Sequence, residues 1–366
     1  MTKYVGFVID GLVPSLRRCL KHRTISPIFR GWPSASSISE ARYRPIAERV
    51  NQKRGPLLYE LYRSWRKYDV VVFLKSMNGA SLHLAKRLRA KTCRVIFDLN
   101  IDYLTPATGT VYYDGMAPSA QQREQALEMI NLSDAVIADS LWIAEIAKGY
   151  CDSISWIPDC VSDDMIFDGG TWTPAGGTPL TLFWSGEAVK MFELIRIETV
   201  LRALRDKVHL CLVTNSLTAI EKIYQPWRGR LMQLLSEVSV EIIDFRDLRG
   251  LMKIYDRGGV CISPRFLDNS YNMGHTEWKI SLAMARGRMV LCSPQPSYLT
   301  MRERSKGLGI RVCDTDDEWV RAIEEILSPG FDWQREQRAA CETVMTYYSA
   351  PIVAKAHEHL VNHVLS

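Results

Sequence analysis

The chain reads as an α/β protein of two doubly wound, Rossmann-like domains facing each other across a cleft, and three observations predict this. Short, nearly continuous apolar runs alternate with helical periodicity almost from end to end, the pattern of parallel strands covered by helices on both faces. The 366 residues are too many for one typical domain and suit two. The segment DGGTWTPAGGTP at 168–179 breaks the alternation near the middle, and its glycines and prolines mark an interdomain linker.

Taken in order, the first half places strands at 4–9 (YVGFVI), 69–74, 94–98, 134–139 and 154–157, and helices at 57–67, 80–90, 119–132 and 141–149. The N-terminal domain is expected to span 1–170 and the linker 171–178. The second half repeats the scheme over 179–348, with strands at 180–185, 209–213, 238–245, 258–263, 289–292 and 309–313. Helices are expected at 190–205, 217–235, 247–256, 277–286 and 315–328. Two closing helices, roughly 332–348 and 351–364, are separated by Pro351, which cannot sit inside a continuous helix. Ligands of open α/β sheets bind outside the carboxyl ends of the strands, so the cleft between two such domains is the expected active site.

Composition narrows the class. Apolar residues make up 47% and charged residues 24%, as in a globular protein with full cores. No run of about 20 apolar residues that would span a bilayer is present. The opening MTKYVGFVIDGLVPSLRR is interrupted too early, by Asp10, to read as a secretory signal. Nine cysteines lack CxxC spacing, which fits reduced, buried thiols in the cytoplasm. Residues 1–55 hold eleven Lys/Arg against three acidic residues, a net +8 in a chain of net +5. That excess, with Phe29, Trp32 and Tyr43 interleaved, points to an anionic partner or a solvated basic face. Peripheral attachment to an anionic membrane surface is expected ahead of nucleic acid, because no nucleic-acid-binding motif accompanies the charge.

The segment most informative about chemistry is 264–298. A polar loop runs to Thr276, a short helix carries Lys279 in its first turn, and the strand MVLC follows Gly287. A loop feeding a helix N-terminus beside a lysine is an anion site or an ordinary capped helix. The loop holds Arg265, Asp268, Asn269, Asn272, His275 and Glu277, with His275 either a sugar-hydroxyl donor or simply exposed. Strand 180–185 delivers Ser185, Gly186 and then Lys190; the glycine lets a phosphate approach the backbone and the lysine supplies counter-charge. The first strand similarly leads to Gly11 and Arg17. Asp98, Asn100 and Asp102 alternate after the strand RVIFD, suiting hydroxyls of a sugar or acceptor, or an Asx turn. Asp314-Thr315-Asp316 has the spacing of a DxD metal motif but sits where a helix cap belongs. His357, His359 and His363 on the last helix read as a solvated face without HExxH context, so no metal is expected. Absence of GxGxxG, GxxxxGK[ST] and GxSxG disfavours nicotinamide enzymes, P-loop enzymes and serine hydrolases.

The order of several motifs resembles the retaining, nucleotide-sugar-dependent glycosyltransferases of the GT-B fold, in the large family four group. INLSDAVIADSLWIAEIAK (130–148) is similar to that group's "ADAVIAxS" strand–helix, and SISWIPDCVSDDMIF (153–167) to "VIPNGVDxxxF". LTLFWSGEAVKMFEL (180–194) resembles the opening strand of its donor domain, and KISLAMARGRMVLCSP (279–294) resembles "KxxEAMAxGxPVVxS". The match covers roughly residues 130–350. The resemblance implies a nucleotide-diphosphate sugar on the C-terminal domain and a glycan, lipid-linked or small-molecule acceptor on the N-terminal one, without metal or other cofactor. It places Lys190, Arg265 and Lys279 around the leaving diphosphate; Gly11, Ser185, Gly186, His275, Thr276 and Glu277 at the donor; and Arg17, Asp98, Asn100 and Asp102 at the acceptor. It also implies that residues 349–366 cross back to the first domain. The chain departs from the family at its paired glutamates, which fall on Gly274 and Leu282, and at an arginine replaced in the neighbourhood by Glu187. A non-catalytic glycan- or nucleotide-binding relative is therefore the second reading, and a GT-B-shaped sugar-nucleotide epimerase a third.

Overall fold

Apolar runs rich in Val, Ile, Leu and Phe pair into two sheets in a computed structural model of the protein, which describes residues 2–9, 41–106, 108–167, 179–215, 217–244 and 248–366. The first sheet comprises β1 (Lys3–Ile9), β2 (Leu57–Leu61), β3 (Val70–Leu74), β4 (Arg94–Leu99), β5 (Ala135–Ala138) and β6 (Ile154–Trp156). Its order is β2-β1-β3-β4-β5-β6, every pairing parallel. Strand β3 is buried along its whole length, as a central strand covered on both faces must be. Around this sheet lie α1 (Arg44–Gln52), α2 (Gly79–Arg89), α3 (Ala120–Leu132) and α4 (Leu141–Ala147).

The second sheet contains β7 (Leu180–Glu187), β8 (Val208–Asn215), β9 (Val240–Asp244), β10 (Val260–Ser263), β11 (Val290–Cys292) and β12 (Ile310–Val312). Its order, β12-β11-β10-β7-β8-β9, is again fully parallel. The order reverses between β7 and β10, the switch point at which open parallel sheets bind their ligands. The helices here are α5 (Glu198–Ala203), α6 (Trp227–Glu237), α7 (Leu248–Tyr255), α8 (Ser270–Met273), α9 (Trp278–Ala285), α10 (Pro296–Arg304), α11 (Asp316–Leu327) and α12 (Trp333–Tyr347). The last helix, α13 (Ala350–Leu365), starts with Pro351 in its first turn and packs Val353, Leu360 and Val361 into the core of the first sheet.

Local departures from the expected elements have physical reasons. Residues 57–61 form an edge strand rather than a helix, because LLYEL alternates buried Leu57, Tyr59 and Leu61 with half-buried Leu58 and Glu60, a period of two. The helix on that flank is α1, begun by Pro45. The expected helix 190–205 is a 3₁₀ segment, Ala188–Ile197, running into α5. The expected helix 217–235 is split by Pro226, which precedes α6. Thr315 caps α11 in a capping box with Glu318, so the DxD spacing is a helix start. His359 and His363 are exposed, but His357 is buried, its Nδ1 3.0 Å from the Tyr59 hydroxyl. Eight described cysteines are free thiols, seven of them buried. Among the described residues no helix is long and apolar enough to cross a membrane, and no group of His, Cys, Asp and Glu is arranged to hold a metal.

Candidate functional site

Cations gather at the switch point of the second sheet. Lys190 leaves the 3₁₀ turn that follows β7, Arg265 follows β10 by two residues, and Lys279 lies in the first turn of α9. Arg265 is 6% exposed and donates from Nη1 to Glu193 Oε1 at 2.6 Å; Glu193 is itself 1% exposed. Ser293 fixes the backbone at this corner, its Oγ accepting the Arg265 N–H at 2.8 Å. Lys279 Nζ lies 4.5 Å from the centre of the Trp184 ring, and Lys190 Nζ 5.5 Å from that of Tyr271. Burial and the charge of Arg265 push the Lys279 ammonium down to about 7. Burial, then Lys190, Arg265 and Lys279, hold the His275 imidazole well below its ordinary range, so it is neutral at pH 7. Glu193 offsets Arg265 and Lys279, and Glu187 and Tyr271 offset Lys190; Lys279, with no ion pair of its own among the described residues, yields its proton most easily. An anion placed among these side chains would supply the missing counter-charge.

A second polar cluster sits where the two sheets' carboxyl ends meet. Arg42, 2% exposed, donates from Nε to both oxygens of Asp98 at 3.0 Å, and from Nη1 to Asp159 Oδ1 at 2.9 Å and the Ile157 carbonyl at 3.1 Å. Thr276 Oγ1 reaches across from the other domain to donate to Asp159 Oδ2 at 2.7 Å. Asp139, buried with Oδ1 unpartnered, is held well above the usual carboxylate range by burial and by Asp159. Burial likewise raises Glu277, to about 7.

A strap from the loop between β4 and α3 closes one side. Tyr112 stacks on Phe192 and Phe266, ring centres 4.4 and 4.9 Å away, and its hydroxyl donates to both oxygens of Asp268 at 3.2 and 3.0 Å. The backbone pairs as well: Tyr113 bridges Ile223, and the Tyr224 N–H donates to the Tyr112 carbonyl at 2.9 Å. Gly109 passes so near that a Cβ there would lie 1.6 Å from the Asp268 carbonyl oxygen.

Two separate six-stranded parallel sheets of these orders, with the last helix packed into the core of the first, define the architecture. The chain has the GT-B fold. A glycosyltransferase from Rickettsia africae matches it over 100% of this chain and 99% of its own, with a TM-score of 0.65 at 13% identity. HepE of Anabaena, solved with UDP and glucose, matches over 99% of this chain and 100% of its own (TM-score 0.61, 12% identity). Sucrose-phosphate synthase from Thermosynechococcus elongatus matches over 100% of this chain and 99% of its own (TM-score 0.61, 12% identity). No protein-family model matches the sequence, and neither does any curated protein.

The expected site residues are thus sorted by the structure. Lys190, Arg265, Lys279 and His275 come together, with Gly186 beside them; a Cβ on Gly186 would lie 3.1 Å from the Trp184 ring. Ser185 turns away, 2.9 Å from the Tyr255 hydroxyl inside the sheet's packing. Thr276 and Glu277 join the acidic junction instead of the cations. Asp98 is taken up by Arg42, while Asn100 and Asp102 lie on the facing loop. Gly11 and Arg17 lie outside the described residues. Leu282 is 2% exposed and packs in the core. Glu193, Trp184, Tyr271 and Arg42 complete these clusters and were not singled out by the sequence. Only Glu193 had a signal: it is three residues beyond Lys190, on the same side of a 3₁₀ turn.

Proposed function

We propose that the protein is a glycosyltransferase that moves a sugar from a nucleotide-diphosphate sugar to a hydroxyl of a glycan, lipid-linked or small-molecule acceptor. The observation that carries this reading is the convergence of Lys190, Arg265 and Lys279 at the switch point, with Glu193 buried against Arg265 and Lys279. Three cations set against Glu193, with Glu187 beside Lys190, leave an excess of positive charge toward the two negative charges of a diphosphate diester. In the reaction the bond between the anomeric carbon and the β-phosphate oxygen breaks, and its electron pair stays on the leaving diphosphate. The acceptor oxygen bonds to the same carbon and loses its proton. Charge grows on the diphosphate as that bond breaks, and fixed cations in a water-poor site stabilise it more than the ground state. Removing one such donor typically costs about 3–4 kcal/mol in the barrier. The cations supply the neutralisation that a divalent metal supplies elsewhere, so the transfer is proposed to be metal-independent, and by its resemblance retaining. HepE, with UDP and glucose bound, and sucrose-phosphate synthase support the reading as holders of the same fold.

The test is a nucleotide-release assay over a donor panel, with thermal stabilisation by each nucleotide alongside. Lys190→Met and Lys279→Met are expected to lose stabilisation by UDP-sugars and to lower turnover at least tenfold. A folded protein that neither binds nor turns over any nucleotide sugar would remove the proposal. One observation favours binding without catalysis: Leu282 lies in the core and Gly274 has no side chain, so neither of the family's glutamate positions offers a carboxylate. Calorimetry that detects donor binding without any release of nucleotide would select that second reading.

A further inference from the structure

Lys190, Arg265 and Lys279 come from the C-terminal side with Glu193, whereas Asp98, Asp102, Asp139 and Asp159 come from the N-terminal sheet with Arg42. The two sides touch at Gly274, whose carbonyl accepts a hydrogen bond from Ser140 Oγ at 3.2 Å. A Cβ built on Gly274 would stand 3.0 Å from Asp102 Cβ. The space that a side chain at 274 would enter is therefore held by Asp102, from the opposite domain. Asp102 is 3% exposed. Its Oδ1 accepts the Leu104 and Thr105 N–H groups at 3.0 and 2.9 Å, an Asx turn that fixes the carboxyl. Its Oδ2 is buried with no partner, and so are Asn100 Oδ1 and His275 Nε2 nearby in sequence or across the junction. Buried polar atoms left unpartnered are costly and usually mark a missing ligand or water. Hydroxyl groups would satisfy all three, since two are acceptors and a neutral imidazole nitrogen either gives or takes a proton.

We propose that Asp102, supplied across the cleft in place of the missing carboxylate at 274, is the residue that selects the transferred sugar, accepting its hydroxyls and admitting neutral sugars while repelling uronates. This inference rests on the transferase reading and names its donor class. The diphosphate end meets cations; the sugar end, adjoining Gly274 and His275, meets carboxylates, with Arg42 already committed to Asp98 and Asp159. A second negative charge on the sugar would stand against Asp102, and Arg42 is already paired with two carboxylates. A neutral hexose or N-acetylhexosamine would present only donors and acceptors.

The experiment compares UDP-glucose, UDP-N-acetylglucosamine and UDP-glucuronate with the full chain and with Asp102→Asn. Asparagine retains an oxygen for the Asx turn, so the melting temperature and the affinity for UDP alone are expected to stay at wild-type values. For the wild type, kcat/KM with the neutral donors is expected to exceed that with the glucuronate at least a hundredfold. In Asp102→Asn that ratio should shrink at least tenfold, through a loss on the neutral donors and a gain on the uronate. An unchanged ratio, or an equal loss of UDP and UDP-sugar binding, would overturn the assignment while leaving the transferase reading in place. A wild type that binds no nucleotide sugar would overturn that reading itself, and this inference with it.

Discussion

Under the proposed function, Lys279 makes the binding of a diphosphate a proton-linked event. With no ligand, burial and the charges of Arg265 and Lys190 bring its ammonium down to about 7. A bound diphosphate supplies the missing counter-charge and returns the group toward its usual value near 10.5. The ligand thus prefers the protonated lysine: affinity is flat below pH 7 and falls up to tenfold per pH unit above it. Between pH 6 and 8.5 the loss comes to about 30-fold, or about 2 kcal/mol. Isothermal titration with a UDP-sugar is the suitable assay, because its diphosphate diester does not titrate in this interval. Repeating it in buffers of different ionisation heat at pH 7 should show uptake of roughly half a proton per ligand. Lys279→Arg keeps a permanent charge and should flatten the profile, while Glu277→Gln, altering the other group that titrates near 7, should leave it unchanged. An affinity constant across pH 6–8.5 in the wild type, or the same slope in Lys279→Arg, would refute the reasoning.

Other perturbations follow from the junction. Glu277 has a folded pKa raised by burial from 4.5 to about 7, so its stabilising protonated form is complete below pH 4.5 and is lost as pH rises through 7. Urea melts should show this as ~3 kcal/mol of stability that disappears between those limits in the wild type and not in Glu277→Gln. Arg42→Met would strand the buried Asp98 and Asp159 and should destabilise by about 3–5 kcal/mol, read from the same melts. Gly109→Ala forces a left-handed residue at φ +83° and drives a Cβ into the Asp268 carbonyl. The backbone strain alone is about 1–2 kcal/mol; the melting temperature should fall and small-angle scattering should report a larger radius as the strap disengages.

How far the residues alone reach is clear from particular elements. The strands of both sheets were legible because both their faces are buried, so hydrophobicity is continuous along the chain and needs no partner to be seen. Lys190 and Arg265 were legible for a related reason: each follows a strand end within three residues, and strand ends of parallel sheets point the same way, whereas Lys279 was legible from its place in the first turn of a helix. Segment 57–61 was not, since a short amphipathic run fits either period until an edge places it; its pairing with β1 decides. Asp98 and Asp102 look alike in sequence, yet Arg42, fifty-six residues from Asp98, neutralises one and leaves the other facing Gly274.

What the sequence by itself determined is the fold, two parallel sheets covered by helices. What only the tertiary structure decided is which carboxylates are paired and which are orphaned, that Tyr112 stacks across the domains, and that Ser185, Thr276 and Glu277 serve other contacts. The physical reason is range: periodicity is set by neighbours a few residues apart, whereas a buried charge is defined by whichever group the folded chain brings within hydrogen-bond distance.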